Sequence, residues 1–324
     1  MSFPYRVVVF ARNEEQRIEA ALRSIQKASP ARSDLKVYVL INGCRDRTVK
    51  VVQHFALKNP EVQGIELPIA DKCNAWNTYV YELADDTPCH FFMDGDTECN
   101  LGALEKMQRL LLANNAAQAI AGYPMSGRNR DYYRGFVNEH HWVFGNLYAV
   151  KGAHLATIRR CGIRLPIGLC GNDHFITKIL AARSFKPEDL DRGGKIIFDP
   201  TAGYVFRSLQ PYRLADWMTY WRRRVTYCLR QLQIPILDDL PLIDLPRTMD
   251  DANRQILKSL RKTKVAFGNL VIRAVRNKLM KMYPEEDSSY FDRLLPQSSR
   301  FQFGKPTRSS SGPSPVTQTL PASS

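Results

Sequence analysis

The chain has 324 residues, of which 44% are hydrophobic, enough to bury one large core or two modest ones. It holds no run of about 18 apolar residues, so no membrane-spanning helix is expected. Lys and Arg number 46 against 32 Asp and Glu, and the net charge of +14 favours an acidic partner: nucleic acid, an anionic membrane surface or a phosphorylated substrate. The opening MSFPYRVVVFARNEE lacks the long apolar core and cleavage site of a signal peptide. The seven cysteines are scattered without a CxxC pair, which favours a reduced, cytoplasmic setting over a disulfide framework.

Arg6–Phe10 (RVVVF) is a β-branched run, expected as a buried parallel strand. After Ala11-Arg12-Asn13-Glu14 comes a helix with Ile18, Ala21, Leu22 and Ile25 on one face. Val37–Ile41 is a second strand. Asp46 can cap the following helix, which carries Val49, Val52 and Phe55. Val62–Leu67 is a third strand, and Asp71-Lys72-Cys73-Asn74 opens a helix through Leu83. His90–Met93 is a fourth strand. Repeated strand–helix alternation predicts a parallel α/β sheet with ligands at the carboxyl ends of its strands. Loops 11–14, 42–46, 71–74 and 94–98 should therefore share one edge.

Further on, Leu101–Asn114 reads as a helix and Ala119–Tyr123 as a strand. Ser126–Arg134 reads as a mobile polar loop, and Gly145–Val150 as another strand. A helix follows Cys170-Gly171-Asn172-Asp173-His174 through Ala182. Lys195–Asp199 and Ala202–Arg207 look like two short strands, and Asp216–Leu232 like a helix carrying Arg222, Arg223 and Arg224. Ile234–Pro246 is Pro-, Leu- and Asp-rich and reads as an extended linker. Asp250–Tyr283 is helical with a break near Gly268-Asn269. Ile256, Leu260 and Phe267 share one side there, and residues 254–281 hold nine Lys or Arg and no acid. That pattern is a basic amphipathic helix suited to an anionic membrane face. From Pro296 onward, Ser, Pro and Thr predict a disordered tail.

The chemistry concentrates in HFFMDGDTECN, His90–Asn100. A buried strand delivers Asp94 and Asp96 to its end, two positions apart and so on one side. Two hard oxygen donors beside a glycine suit Mg²⁺ or Mn²⁺ with positions left for a substrate phosphate. A polar strand-end turn is the plainer alternative. Asp173 can equally cap its helix, and Arg222–Arg224 can be a solvated basic face.

VVVFARNEEQRIEAALRSI resembles the opening of family 2 glycosyltransferases, which have a GT-A, nucleotide-diphospho-sugar transferase fold. NGCRDRT, Lys72–Asn77, MDGDTE, GNLYAV, GLCGNDHFIT and DPTAGYVFRSL resemble the family's later segments in order, over about residues 5–230. The resemblance implies a mainly parallel Rossmann-like sheet in a catalytic domain at 1–232. Residues 233–295 would be a linker and basic helical extension, and 296–324 the tail. It implies Mn²⁺ or Mg²⁺ on Asp94 and Asp96, with Asp94 also at the ribose. Asp173 becomes the general base, inverting the anomeric centre. Ala11, Arg12 and Glu14 would contact the nucleotide, Asn42 the base, Lys72 the phosphates and Arg224 the departing diphosphate. Asn172 stands where the family commonly has Glu. Ile41 and Asn42 replace its usual paired acids, and the Gln-x-x-Arg-Trp motif is missing beside Trp221.

The expected activity is transfer of a sugar from a nucleoside-diphosphate donor, UDP-linked by family habit, to a hydroxyl of a saccharide or lipid-linked acceptor. The expected location is cytoplasmic, with peripheral contact to the membrane. A nucleotidyltransferase would want a Gly-rich first loop, which ARNEE does not offer. A nucleic-acid binder has no finger, helix-turn-helix or RNP-type motif behind it. A catalytically inactive family member acting as a binding protein is opposed by the intact acids at 94, 96 and 173.

Overall fold

A computed structural model describes residues 4–29, 35–182, 185, 195–206, 208–210, 212–262, 269–285 and 288–295. Strands β1 (Tyr5–Ala11), β2 (Leu35–Asn42), β3 (Val62–Leu67) and β4 (Cys89–Asp94) are the four expected in the first half of the chain. They are followed by β5 (Thr97–Cys99), β6 (Ala117–Pro124), β7 (Leu147–Lys151) and β8 (Lys195–Phe206). The helices are α1 (Ile18–Ala28), α2 (Thr48–Lys58), α3 (Lys72–Thr78), α4 (Ala103–Ala113), α5 (Arg130–His140) and α6 (Gly152–Arg160). They continue with α7 (Asp173–Ala181), α8 (Leu214–Asp238), α9 (Asp250–Lys262), α10 (Leu270–Met282) and α11 (Tyr290–Leu294).

One mixed sheet runs β3-β2-β1-β4-β7-β6-β8-β5. The first four strands are mutually parallel, as are β6 and β8; β7 is antiparallel to both neighbours and β5 to β8. Alternation along β1 divides the core in two. Val7 and Val9 face α1, α2 and α4, while Val8 and Phe10 face α3, α6 and α7. A sheet covered on both faces needs such continuous apolar strands. Because β1–β4 are parallel, Ala11, Asn42, Leu67 and Asp94 end at one edge, as the alternation required.

Four local expectations change. Ser126–Arg134 is no mobile loop, because α5 begins inside it. The Tyr132 and Phe136 rings meet at a tilt with centres 5.0 Å apart, Tyr133 meets Phe144 edge-to-face at 5.0 Å, and Arg134 Nε donates to the Pro124 carbonyl at 2.9 Å. The two short strands at 195–207 are one strand, with pairing to β6 kept through two register shifts. Asp199 Oδ1 accepts from Thr201 N (2.8 Å) and Oγ1 (2.6 Å), which stitches the irregular middle together. The linker from Ile234 begins as helix instead. Pro235 sits within α8 despite its missing N–H, because buried Gln233 and Leu237 anchor the last turns.

The fourth change concerns the basic helix. On α9, Ile256, Leu257 and Leu260 pack with Leu229 of α8 and with Val275, Leu279 and Tyr283 around α10. Its apolar face is occupied by the protein rather than open to a membrane. Phe267 and the tail from Pro296 lie outside the described residues. Among the described residues no helix is long and apolar enough to cross a membrane.

If α9 and α10 belong to the folded core, Leu279→Ala should lower the unfolding free energy by about 2–5 kcal/mol. Urea denaturation checks this. A basic arm held loosely off the protein would lose almost nothing.

Candidate active site

The site forms where β1, β2 and β4 end. Gly95 N donates to the Phe10 carbonyl at 2.9 Å, which fixes the Asp94-Gly95-Asp96 turn against the end of β1. The β1 and β2 loops brace each other: Glu14 N donates to Thr48 Oγ1 (2.8 Å), Glu15 N to Asp46 Oδ2 (3.1 Å), and Arg45 N to Asn13 Oδ1 (2.8 Å). Asp46 also accepts from Thr48 N at 3.0 Å, but Arg47, not Asp46 as expected, stands at the cap position of α2. Asn13 adopts φ +58, a left-handed conformation that asparagine tolerates and that turns the chain out of the sheet.

Asp71 caps α3, accepting from Asn74 N at 2.8 Å. That cap points Lys72 at the end of β4, where its ammonium pairs with Asp94 Oδ1 and lies 5.4 Å from the centre of the Phe10 ring. Across from it, Asp173 opens α7. The helix-capping alternative does not hold, because Asp173 is the first helical residue and Asn172 stands at the cap position. Its Oδ1 accepts instead from Gly145 N at 3.1 Å.

Gly145 is the junction. A methyl group there would collide with Lys72 Nζ and lie 3.1 Å from Asp173 Oδ1 and 3.5 Å from Asp94 Oδ2. Lys72, Asp94 and Asp173, 101 residues apart from first to last (173 − 72), thus converge on one point that only glycine leaves open. Beside them Arg17 Nη1 stands 3.4 Å from Asp96 Oδ2 and 3.6 Å from Glu14 Oε2. Four carboxylates share the edge with two cations.

Burial and this crowding of carboxylates raise two of the carboxyls. Burial, and then Asp96, push the Glu14 carboxyl up to about 7, with Arg17 opposing. Burial raises Asp94 to about 6, Lys72 pulling it down and Asp96 adding to the rise, although its side chain keeps 30% exposure. For Lys72, burial works against the charge, but Asp94 and Asp173 outweigh it and the ammonium is held above its ordinary range.

The other expected residues are spread around this centre. Ala11 is buried at the end of β1, and Arg12 beside it is exposed. Asn42 is buried at the end of β2, and its Oδ1 has no hydrogen-bond partner among the described residues. Arg224 is exposed on α8, with no hydrogen bond or ion pair to the aspartates among the described residues. Burial raises the Tyr133 phenol above its ordinary range, with Arg224's neighbour Arg223 opposing.

Sequence reasoning missed how the Asp173 loop is held. Gln233 of α8 is fully buried; its Oε1 accepts from Cys170 N (2.8 Å), and its Nε2 donates to the Gly168 carbonyl (3.2 Å) and to Asn253 of α9 (2.8 Å). Gly171, at φ +68, has no room for a Cβ against Arg230. His174 pairs with Asp238 at 2.7 Å. Gln233, set between Leu232 and Ile234, was the one available signal.

The family model of glycosyl transferase family 2 matches residues 6–165, which span β1 through α6. The match covers just under half of the chain and makes this stretch similar to glycosyl transferase family 2. No curated protein matches the chain. Among solved structures, the mannosyltransferase PcManGT from Pyrobaculum calidifontis, in complex with GDP-Man and Mn²⁺, is similar with a TM-score of 0.57. It is 19% identical, over 88% of this chain and 82% of its own. S. aureus TarS 1-349 is similar with a TM-score of 0.51 at 14% identity, and its UDP complex with 0.50 at 15%. Each covers 86% of this chain and 82% of TarS 1-349. At these identities the likeness is one of fold, the GT-A glycosyltransferase architecture.

The raised Glu14 has a consequence for stability. A folded pKa of about 7 above an ordinary 4.5 means that stability present below pH 4.5 is lost as the pH rises to 7 and then levels off. Glu14→Gln mimics the protonated form. In metal-free protein its gain in thermal midpoint over wild type should be near zero at pH 4.5, grow towards pH 7 and stay constant to pH 8.

Proposed function

We propose that the chain is a metal-dependent, inverting glycosyltransferase that moves a sugar from a nucleoside-diphosphate sugar to a hydroxyl of a saccharide or lipid-linked acceptor. The observation that carries this reading is the convergence of Lys72, Asp94 and Asp173 at Gly145. It sets a cation and two carboxylates where a glycosidic bond to a diphosphate could be broken and an incoming hydroxyl deprotonated.

Asp94 and Asp96 would hold Mn²⁺ or Mg²⁺. Among the described residues no group of three His, Cys, Asp or Glu could hold a metal alone. Two hard oxygen donors with the remaining positions left to a diphosphate nevertheless fit such an ion, and the unneutralised charge at Glu14 and Asp94 favours a cation there. When bound, the ion supplies positive charge against the negative charge that grows on the leaving diphosphate.

This chain's residues do the rest. Lys72 lies beside Asp94 and can donate to the same leaving oxygens. Asp173, its carboxylate fixed by Gly145 N, takes the acceptor proton. One base acting on a hydroxyl opposite the leaving group inverts the anomeric centre. Asn42 offers a free amide oxygen, a hydrogen-bond acceptor for a donor group on a nucleobase edge. Ala11, Arg12 and Glu14 line the approach from β1. Two similar structures carry GDP-Man with Mn²⁺ and UDP, so guanosine and uridine donors are the pair to compare, UDP first. The acceptor class, cytoplasmic location and peripheral membrane contact belong to the same proposal, as does the division into 1–232, 233–295 and 296–324.

Asp173→Asn should keep donor-nucleotide affinity within a few-fold while kcat falls by roughly 10²–10⁴. Steady-state kinetics with a nucleotide-sugar panel, paired with nucleotide binding, checks the split. NMR of the first product should show the inverted anomer. A retained anomer, or full activity in Asp173→Asn, would remove Asp173 from its role.

A further inference from the structure

The first half of α8 carries an apolar stripe that is largely exposed. Leu214 (82% exposed), Trp217 (60%), Met218 (59%) and Trp221 (38%) fall at i, i+3, i+4 and i+7, one face of a helix. The same stripe continues through Val225, Cys228, Leu229 and Leu232, and there it packs against α9 and α10. One helix thus has a single apolar face with its C-terminal half buried and its N-terminal half exposed.

The opposite face is anchored. Buried Asp216 accepts from Gln210 N at 2.8 Å, and the Tyr220 hydroxyl donates to the Leu209 carbonyl at 3.1 Å and accepts from Arg128 Nη1 at 3.2 Å. The stripe therefore cannot turn inward without breaking these bonds. Arg222 and Arg224 flank it on either side, and Arg213 and the 77% exposed Tyr212 precede it. Interfacial helices have this composition: indoles and aliphatics on one face, arginines along the margins.

We infer that the N-terminal half of α8 docks the protein on an anionic lipid surface, with Leu214, Trp217, Met218 and Trp221 entering the headgroup boundary and Arg213, Arg222 and Arg224 meeting lipid phosphates. Charge decides among occupants. An isologous contact between two copies would set this arginine-rimmed patch against itself. The chain's own residues 296–324 carry Arg300, Lys305 and Arg308 and no Asp or Glu, so they would also bring cations to cations. Anionic lipid is complementary to both the stripe and its rim. This surface is not the α9–α10 region expected from sequence, whose apolar face is taken. It stands apart from the transfer reading, since lipid binding needs no turnover.

The test is flotation of the full chain with phosphatidylcholine vesicles, with and without phosphatidylglycerol. Wild type should bind only the anionic vesicles, with a blue shift of tryptophan emission. Leu214→Glu/Met218→Glu should abolish binding while keeping the wild-type circular dichroism and thermal midpoint, since both sites are exposed. Arg222→Ala/Arg224→Ala should weaken partitioning about 25-fold, taking about fivefold for each basic residue. Lys278→Glu/Lys281→Glu on α10 should weaken it much less. The proposal is overturned if wild type does not bind, or if the glutamate variant binds normally. Loss of binding in the α10 variant equal to that in the α8 variants would also overturn it. So would a wild-type dimer that the glutamate variant dissolves without any lipid binding, or binding seen only after removal of 296–324.

Discussion

The contact between Lys72 and Asp94 is the interaction on which the site depends. Neither group would keep its charge at this depth alone. Burial drives an isolated lysine towards neutral and an isolated aspartate towards its acid form. Together, with Asp173 on the far side of Gly145, each holds the other ionised, and a cationic and an anionic group are set side by side at the end of a rigid strand. Asp71 supplies the frame. Its Oδ1 caps the helix that carries Lys72, and its Oδ2 accepts from Gly168 N at 3.0 Å, in the loop that leads to Asp173. One carboxylate thereby ties the helix that carries Lys72 to the loop before Asp173.

The C-terminal helices take on a different meaning in this light. Gln233 reaches from α8 to both Cys170 and Gly168, and Asn253 and Tyr283 extend the buried polar network to Asp250. Asp250 in turn accepts from the first amides of α11. A fully satisfied buried network specifies one arrangement far more sharply than apolar packing does. The helices beyond the family-matched region thus hold the loop before Asp173 in place.

Much of this was legible in the sequence because the signals were local. Continuous apolar runs gave β1, β2 and β4, and the alternation of strand and helix indicated which loops would meet. The Asp94-Gly95-Asp96 turn stood out because charge at the end of an apolar run needs a reason, and Asp173 stood out through the family resemblance of GLCGNDHFIT. What escaped was decided by partners far away in the chain. Tyr132, Tyr133 and Phe136 turn a polar-looking stretch into α5 only because Phe144 and Phe206 are there to pack against. Ile234–Pro246 reads as a linker from its composition, whereas its first residues continue α8 between buried Gln233 and Leu237. The basic stretch 254–281 was assigned to a membrane from its own pattern, whereas Leu229 and Leu279 fill its apolar side. Gly145 entered only as the first residue of the GNLYAV segment, since its place in the site depends on what three other segments bring to it.

The most direct test of the account is calorimetric titration of the full chain with UDP and GDP, each with and without Mn²⁺. Binding of one nucleotide that requires Mn²⁺ and disappears in Asp96→Ala is the expected result. No binding of either nucleotide, or binding that needs no metal and survives Asp96→Ala, would contradict it.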